Sequence, residues 1–197
     1  MSEWQAILAA AVLAYLLGSI PFGLLLTRLA GLGDVRQIGS GNIGATNVLR
    51  TGNKGLAVLT LLLDLAKGAA AVLLVARLFP GLEGLAALGV VLGHCFPVWL
   101  KFKGGKGVAT TAGVCFGIGW PVGLAYALVW IGMLAVTRIS SLGGLSAAVA
   151  APIAAYAFGY PAAFPWLVAI SALVIWLHRA NIARLKNGAE PKIGSRK

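Results

Sequence analysis

The sequence predicts an all-α, polytopic membrane protein in which seven transmembrane helices form a single domain over residues 1–197. Hydrophobic residues make up 59% of the chain and charged residues only 11%, whereas soluble domains contain about 25% charged residues. The apolar residues are spread over the whole length, in runs long enough for a bilayer span of about 20 residues. This composition excludes a disordered chain and disfavours a water-soluble globule.

The number of spans follows from the apolar runs and from the turns inside them. The last two runs are too long for one span, and each contains a Gly-aromatic-Pro sequence, at 119–121 and 159–161, which favours a turn. Counting both as turns gives seven spans, of which the one before residue 121 is short. The seven spans come from five apolar runs: Trp4–Leu26, Gly55–Phe79, Gly84–Leu100, Gly107–Thr137 and Ile139–Leu177.

The basic residues between the runs predict the orientation of the chain. If the helices alternate in direction, one side of the membrane receives Glu3, Glu83 and the single Arg77, and the other receives nearly all remaining charges. Cytoplasmic loops are enriched in Lys and Arg, so we expect the N-terminus outside and the C-terminus in the cytoplasm. The predicted cytoplasmic residues are Arg28, Arg36, Arg50, Lys54, Lys101, Lys103, Lys106, Arg138 and the tail from Arg179.

The charge balance limits the possible partners. There are 16 Lys and Arg but 5 Asp and Glu, for a formal net charge of +11. Because the basic residues lie in short gaps between apolar runs, we predict no nucleic-acid binding, although anionic lipids or phosphorylated substrates remain suitable partners. Cys95 and Cys115 lie in apolar stretches without a His/Cys cluster, so neither a metal site nor a cofactor is predicted.

The first polar loop, residues 39–50, combines three glycines with hydrogen-bonding side chains. Glycines allow the backbone to approach a ligand, and Arg50 adds a planar cation. This mixture suits an anionic, oxygen-rich ligand. The candidate ligands of the loop are Ser40, Asn42, Thr46, Asn47 and Arg50.

The second loop contains Gly104, Gly105, Lys106 and Gly107 immediately before a short predicted helix. A glycine-rich segment that opens a helix presents free N–H groups to a phosphate, and Lys106 adds charge. The spacing differs from that of a Walker loop, which disfavours nucleotide hydrolysis. Lys101 is interpreted as a basic residue at the membrane edge.

The third loop and the tail supply further polar side chains. A hydroxyl of Ser140 or Ser141 is expected to cap the following helix. His178 and Asn181 are three residues apart and would share a helical face, although a single His at a membrane edge is often only interfacial. Glu190 is predicted to be a structural ion-pair partner of nearby cations.

Two charged residues interrupt the second apolar run. Charges in a membrane span are costly and tend to be paired or functional, and Asp64 and Lys67 have the i, i+3 spacing of a pair. The pair is interpreted as structural. His94 is not followed by Asp at the spacing used by the best-known glycerolipid acyltransferases.

The loops together resemble those of the bacterial acyl-phosphate:glycerol-3-phosphate acyltransferase family. The resemblance covers essentially the whole chain. It rests on GSGNIGATNVLR at 39–50, LDLAKG at 63–68, GHCFPVWLKFKGGKGVAT at 93–110 and HRANIARLKNGAE at 178–190. It implies a multi-pass inner-membrane enzyme, functional as a monomer and without a cofactor, with its active site on the cytoplasmic side. Such an enzyme transfers a fatty acyl group from acyl phosphate to glycerol 3-phosphate, giving lysophosphatidic acid and phosphate.

The resemblance also implies roles for individual residues. The family often has Glu where this chain has Ala180, so no catalytic role is assigned there. Glu190 matches a residue that maintains structural integrity. Implied catalytic residues are Ser40, Arg50, Lys106, His178 and Asn181; implied substrate- and phosphate-binding residues are Asn42, Thr46, Asn47, Gly104, Gly105, Gly107 and Ser141.

Acyl phosphate is an activated anhydride, so its chemistry needs anion sites and an apolar channel rather than a metal or a covalent intermediate. The two glycine-rich loops, Arg50 and Lys106 match that requirement. The proton acceptor is either His178 or the phosphate of the donor. The alternative function is a small phosphate or anion transporter, which would need more polar residues across the membrane than Asp64 and Lys67.

Overall fold

The computed structural model describes residues 1–194, and in that range the chain forms α-helices and short 3₁₀ turns but no strand. The single bundle therefore agrees with the predicted all-α class. Its helices are α1 (Glu3–Gly18), α2 (Phe22–Leu29), α3 (Ala45–Val48), α4 (Lys54–Leu78), α5 (Glu83–Cys95), α6 (Val108–Ile118), α7 (Trp120–Thr137), α8 (Ser140–Ala157), α9 (Phe164–Leu177) and α10 (Arg179–Lys186).

Within residues 1–194, five helical segments are long and apolar enough to cross a membrane by themselves: Glu3–Leu29, Lys54–Leu78, Glu83–Leu100, Trp120–Thr137 and Ser140–Ala157. A sixth results if Pro161–Leu177 and Arg179–Lys186, which are bent by 60°, count as one broken span. Helix α6 is apolar but shorter than these. The predicted total of seven spans, which includes α6, therefore stays a prediction.

Local sequence accounts for most helix boundaries. Ser2 and Gln5 form a reciprocal capping box at the start of α1. The side chain of Asn53 accepts a hydrogen bond from the Leu56 N–H and starts α4. Both predicted turns are present: α6 gives way to α7 at Gly119, and α8 ends before residues 159–161.

Small residues allow the helices to pack closely. A Cβ atom on Gly68 would lie 2.2 Å from the carbonyl oxygen of Thr110, and one on Gly113 would lie 1.9 Å from that of Leu65. Helices α4 and α6 are thus in backbone contact, as expected for small residues at helix interfaces in lipid. Larger apolar side chains face outward, including the i, i+4 stripe on α1: Trp4, Leu8, Val12 and Leu16.

The polar loops meet at one end of the bundle. Thr46 contacts Ser140 (2.9 Å), which joins the first loop to the third. Lys106 of the second loop contacts Asn181 of α10. The tail also returns to this end, because the Ile193 N–H donates to the carbonyl of Arg138 (2.8 Å). Segments far apart in sequence therefore form one polar surface.

Candidate functional site

A hydrogen-bond network centred on Glu190 links the tail to the second and third loops at the centre of the polar surface. The Lys106 ammonium donates to Oδ1 of Asn181. The Asn181 Nδ2 and the Ser141 hydroxyl both donate to Oε1 of Glu190, at 2.5 and 2.6 Å. The Arg184 Nε donates to the other carboxylate oxygen at 2.6 Å. Glu190 therefore has the ion-pair partner predicted for it, and it connects the start of α8 to α10.

Lys106 lies in a strongly positive environment. It is partly buried, and Glu190 is the one acid that counteracts its positive neighbours within residues 1–194. Burial lowers the pKa of Lys106, and three neighbouring charges lower it further: those of Arg184, Arg50 and Arg179. Such a concentration of cations favours binding of an anion.

His178 lies between α9 and α10, just beyond the last apolar helix. Its Nδ1 is 2.7 Å from the carbonyl oxygen of Val174, so Nδ1 carries the proton and Nε2 is the free acceptor. Burial lowers the pKa of His178 to about 4, and the charge of Lys106 acts in the same direction. The imidazole is therefore neutral near pH 7. The carbonyl of His178 accepts a hydrogen bond from the Ile182 N–H at 2.8 Å, so this carbonyl belongs to the first turn of α10.

Asn47 organises the first loop. The two N–H groups of its buried Nδ2 are shared among the carbonyls of Val35 (2.7 Å), Asn42 (2.8 Å) and Ile38 (3.1 Å), and its Oδ1 accepts from the Ser40 N–H (3.1 Å). The predicted role of Asn47 as a direct substrate ligand is therefore wrong for this structure, because its hydrogen-bonding capacity is already used within the protein.

The loop leaves the side chains of Ser40, Thr46 and Arg50 exposed. Gly39 has φ +56°, and a Cβ there would lie 2.2 Å from the Arg50 guanidinium. Arg50 thus lies across the glycine, 3.5 Å from Asn47. Asn42 is partly exposed beside them. The loop presents one cation and three neutral polar side chains at its surface.

Gly104 and Gly105 differ from the prediction. Their N–H groups donate to the carbonyls of Cys95 and His94, both at 3.0 Å, and so close the end of α5 instead of facing a phosphate. A Cβ on Gly104 would lie 2.2 Å from the His94 carbonyl oxygen. Close packing requires glycine at both positions. The prediction that the N–H groups of these glycines bind phosphate is wrong, because both groups already donate to carbonyls of α5.

Gly107 does fit the predicted helix start. It has φ +83° and precedes α6, and within the described chain no side chain caps that helix. The N–H groups of the first turn are therefore available at the helix N-terminus, beside Lys106.

The serines of the third loop also depart from expectation. Neither caps α8, which begins after Ile139 without a side-chain cap among residues 1–194. Ser140 instead contacts Thr46, and the Ser141 hydroxyl donates to Glu190. The capping prediction was wrong because both hydroxyls have partners on distant segments.

Two functional relationships were missed at the level of sequence. Arg184 is the partner of Glu190, and the signal was a cation six residues before the single acid of the tail. His94 lies beside the predicted Asp64–Lys67 pair, which is present with Nζ 2.8 Å from Oδ1. The Lys67 Nζ is 3.0 Å from the His94 Nδ1. A polar residue inside an apolar run was the available signal for His94.

Comparison with known proteins identifies the family. A family model described as glycerol-3-phosphate acyltransferase matches residues 8–188. The chain belongs to the glycerol-3-phosphate acyltransferase family. The resemblance seen in the four sequence segments is thereby confirmed.

Individual members of the glycerol-3-phosphate acyltransferase family are similar over nearly the whole chain. The glycerol-3-phosphate acyltransferase of Erythrobacter litoralis is 67% identical and covers 95% of each chain. That of Novosphingobium aromaticivorans is 65% identical and covers 94% of each.

The solved structures of PlsY, an integral membrane glycerol 3-phosphate acyltransferase, are also similar. Its glycerol 3-phosphate form has a TM-score of 0.90 and 41% identity, covering 95% of this chain and 96% of that chain. Its lysophosphatidic acid form has a TM-score of 0.88 and 40% identity, covering 95% of each.

Proposed function

We propose that this protein transfers a fatty acyl group from acyl phosphate to glycerol 3-phosphate, giving lysophosphatidic acid and phosphate. The observation that carries the proposal is the cationic site around Lys106, fixed by Asn181 and Glu190 at the polar end of an apolar bundle. Family membership supports it, since PlsY has been crystallised in forms named for the acceptor and the acylated product.

The reaction divides between two anion sites and a hydroxyl. Lys106 and Arg50 bind the phosphate groups, with the open first turn after Gly107 as a further donor. The acceptor hydroxyl attacks the acyl carbon, the bond from that carbon to the phosphate oxygen breaks, and phosphate leaves. Ser40, Asn42 and Thr46 lie at the exposed surface of the same loop, where they orient the glycerol phosphate.

The proton of the attacking hydroxyl passes to the phosphate of the donor. The phosphate of the donor gains negative charge and basicity as its bond to the acyl carbon breaks, whereas burial lowers the pKa of His178 to about 4. His178 is thus the weaker base of the two. Its Nε2 lone pair is suited to accept a hydrogen bond that positions glycerol 3-phosphate, and Asn181 holds Lys106 beside it.

The proposal includes a topology. The protein crosses the inner membrane seven times, as a monomer, with its N-terminus outside and the site on the cytoplasmic side. The supporting observation is that the loops rich in Lys and Arg meet at one end of the bundle.

No metal or coenzyme A takes part in the proposed reaction. Three of the five acids already pair with cations: Asp34 with Arg36 (2.6 Å), Asp64 with Lys67 and Glu190 with Arg184. We expect full activity in EDTA and no efficient use of acyl-CoA. Inhibition by EDTA that a divalent cation reverses would contradict this expectation.

The direct test uses purified protein with acyl phosphate. Phosphate release should occur only when glycerol 3-phosphate is present, and lysophosphatidic acid should form in equal amount. Release without acceptor would contradict acyl transfer. Phosphate flux into proteoliposomes without any lipid product would instead indicate a transporter.

A further inference from the structure

A buried charged cluster formed by Asp64, Lys67 and His94 lies inside the bundle. All three side chains are nearly inaccessible, with 2–4% of each exposed. The Lys67 ammonium contacts the Asp64 carboxylate (2.8 Å), the carbonyl oxygen of Ile20 (2.8 Å) and the Nδ1 of His94 (3.0 Å). The contacts to Ile20 and His94 are hydrogen bonds, and the contact to Asp64 is an ion pair.

These contacts define the orientation of the His94 ring. Because an ammonium only donates, the Nδ1 of His94 accepts, and a neutral ring carries its proton on Nε2. Nε2 lies against the second loop: a Cβ on Gly105 would be 2.1 Å from it. The residue after Gly105 is Lys106.

The loop is also attached to α5 through the backbone. Gly105 and Gly104 donate to the carbonyls of His94 and Cys95. The side chain and the carbonyl of His94 therefore contact the same glycine. The cluster thus joins α4, the α1–α2 junction and α5 to the segment that carries Lys106.

Stability alone is a weak reason for such a cluster. Charges inside a membrane protein are costly, and a buried ion pair contributes little net stability compared with packed apolar residues. Support of an active-site loop is a better reason for the cluster, since a 1 Å misplacement of a catalytic side chain can cost about 10²-fold in rate.

We propose that Asp64, Lys67 and His94 are positioning residues that hold the Gly104–Gly107 loop and thereby place Lys106 for phosphate binding. The inference rests on the proposed function, because it concerns the same site. In this proposal the His94 ring packs against Gly105 and fixes its position.

The test is a double-variant cycle at the contact between His94 and Gly105. His94→Asn keeps an acceptor near Nδ1 for Lys67 but removes the tip of the ring. Gly105→Ala places a methyl group where Nε2 lies. Each single variant should lower kcat/KM for glycerol 3-phosphate, Gly105→Ala by about 10²-fold. The combined variant should recover at least tenfold relative to Gly105→Ala, because the shorter side chain makes room.

A matched control separates positioning from general stability. The buried Ser171 hydroxyl donates across helices to the Ala148 carbonyl (2.5 Å), far from the loop in sequence. Ser171→Ala should change thermal stability without changing kcat/KM. Hydrogen exchange of residues 101–107 should rise in His94→Asn but not in Ser171→Ala.

The outcomes are distinct. Additive losses in the combined variant, or unchanged exchange of the loop in His94→Asn, would overturn the inference. If the wild type shows no acyl transfer, the proposed function fails, and the exchange comparison still tests the support of the loop.

A second variant covers the case in which His94→Asn does not fold. Asp64→Asn combined with Lys67→Met removes both charges and leaves neither unpaired. We expect a folded protein with faster exchange in residues 101–107 and a lower kcat/KM. Wild-type values of both quantities would overturn the inference.

Discussion

Lys106 and Asn47 are polar side chains in two glycine-rich loops, but they differ in how much of their hydrogen-bonding capacity is used. The Asn47 side chain is hydrogen-bonded to backbone groups of four residues that lie in its own loop or just before it: Val35, Ile38, Ser40 and Asn42. Within residues 1–194, the Lys106 ammonium donates one side-chain hydrogen bond, to Asn181, and it is surrounded by positive charge. At the scale of single residues, this difference separates a side chain that shapes the loop from one that can bind phosphate.

The first prediction concerns the basic residues. Lys106→Ala and Arg50→Ala should each lower kcat/KM by about 10²-fold or more, because each removes a charged contact to a phosphate. Lys101→Ala should have a much smaller effect, because Lys101 is exposed outside the network. Steady-state kinetics on the three purified variants provides the measurement. Equal losses for Lys101 and Lys106 would refute this division of the loop.

The second prediction concerns His178. If it positions glycerol 3-phosphate, His178→Asn should retain measurable kcat, and the loss should appear mainly as a higher KM for that substrate. Because the pKa of His178 is lowered to about 4, the imidazole is deprotonated from about pH 6 upward, and its protonation should not limit the rate between about pH 6 and 8. A kcat that falls by about 10²–10⁴ with intact substrate binding would identify His178 as the base.

Helix contacts decide which glycines are required. Gly113 of α6 lies against the backbone of α4, whereas Gly132 of α7 has open space where a Cβ would be. The third prediction follows at this scale of elements. Gly113→Ala should destabilise the protein by about 1–3 kcal/mol through overpacking, and Gly132→Ala should not. Thermal unfolding in detergent measures both, and equal melting temperatures would contradict the packing explanation.

The α5 end and the second loop illustrate how one element shapes another. The Gly104 and Gly105 N–H groups satisfy carbonyls at the end of α5, which would otherwise lack partners in an apolar bundle. Only the part of the loop from Lys106 onward is left for a ligand. The glycine-rich pattern is therefore shared between helix termination and anion binding.

The whole molecule leads to the fourth prediction, on topology. In intact cells, a membrane-impermeant thiol reagent should label Ser2→Cys but label Lys186→Cys only after permeabilisation. Both positions are exposed, and the native Cys95 and Cys115 are buried, so the background should be low. Labelling of Lys186→Cys in intact cells would contradict a cytoplasmic C-terminus.

The sequence by itself determined the all-α membrane class, the turns at 119–121 and 159–161, the Asp64–Lys67 pair and the family. Each of these depends on composition, local spacing or short strings of residues typical of the family, which do not require knowledge of distant contacts. Glycine and proline interrupt a helix wherever they occur together, and an i, i+3 pair meets on any helix.

Only the tertiary structure decided which polar groups are already hydrogen-bonded within the protein. Asn47, Gly104 and Gly105 are residue types common in anion sites. In the fold, however, Asn47 donates to the Val35 and Ile38 carbonyls, and the two glycines donate to carbonyls at the end of α5. Ser141 has a partner 49 residues away, on Glu190. A polar group satisfied inside the fold is not available to a substrate, and its partner lies on another segment that sequence spacing does not specify.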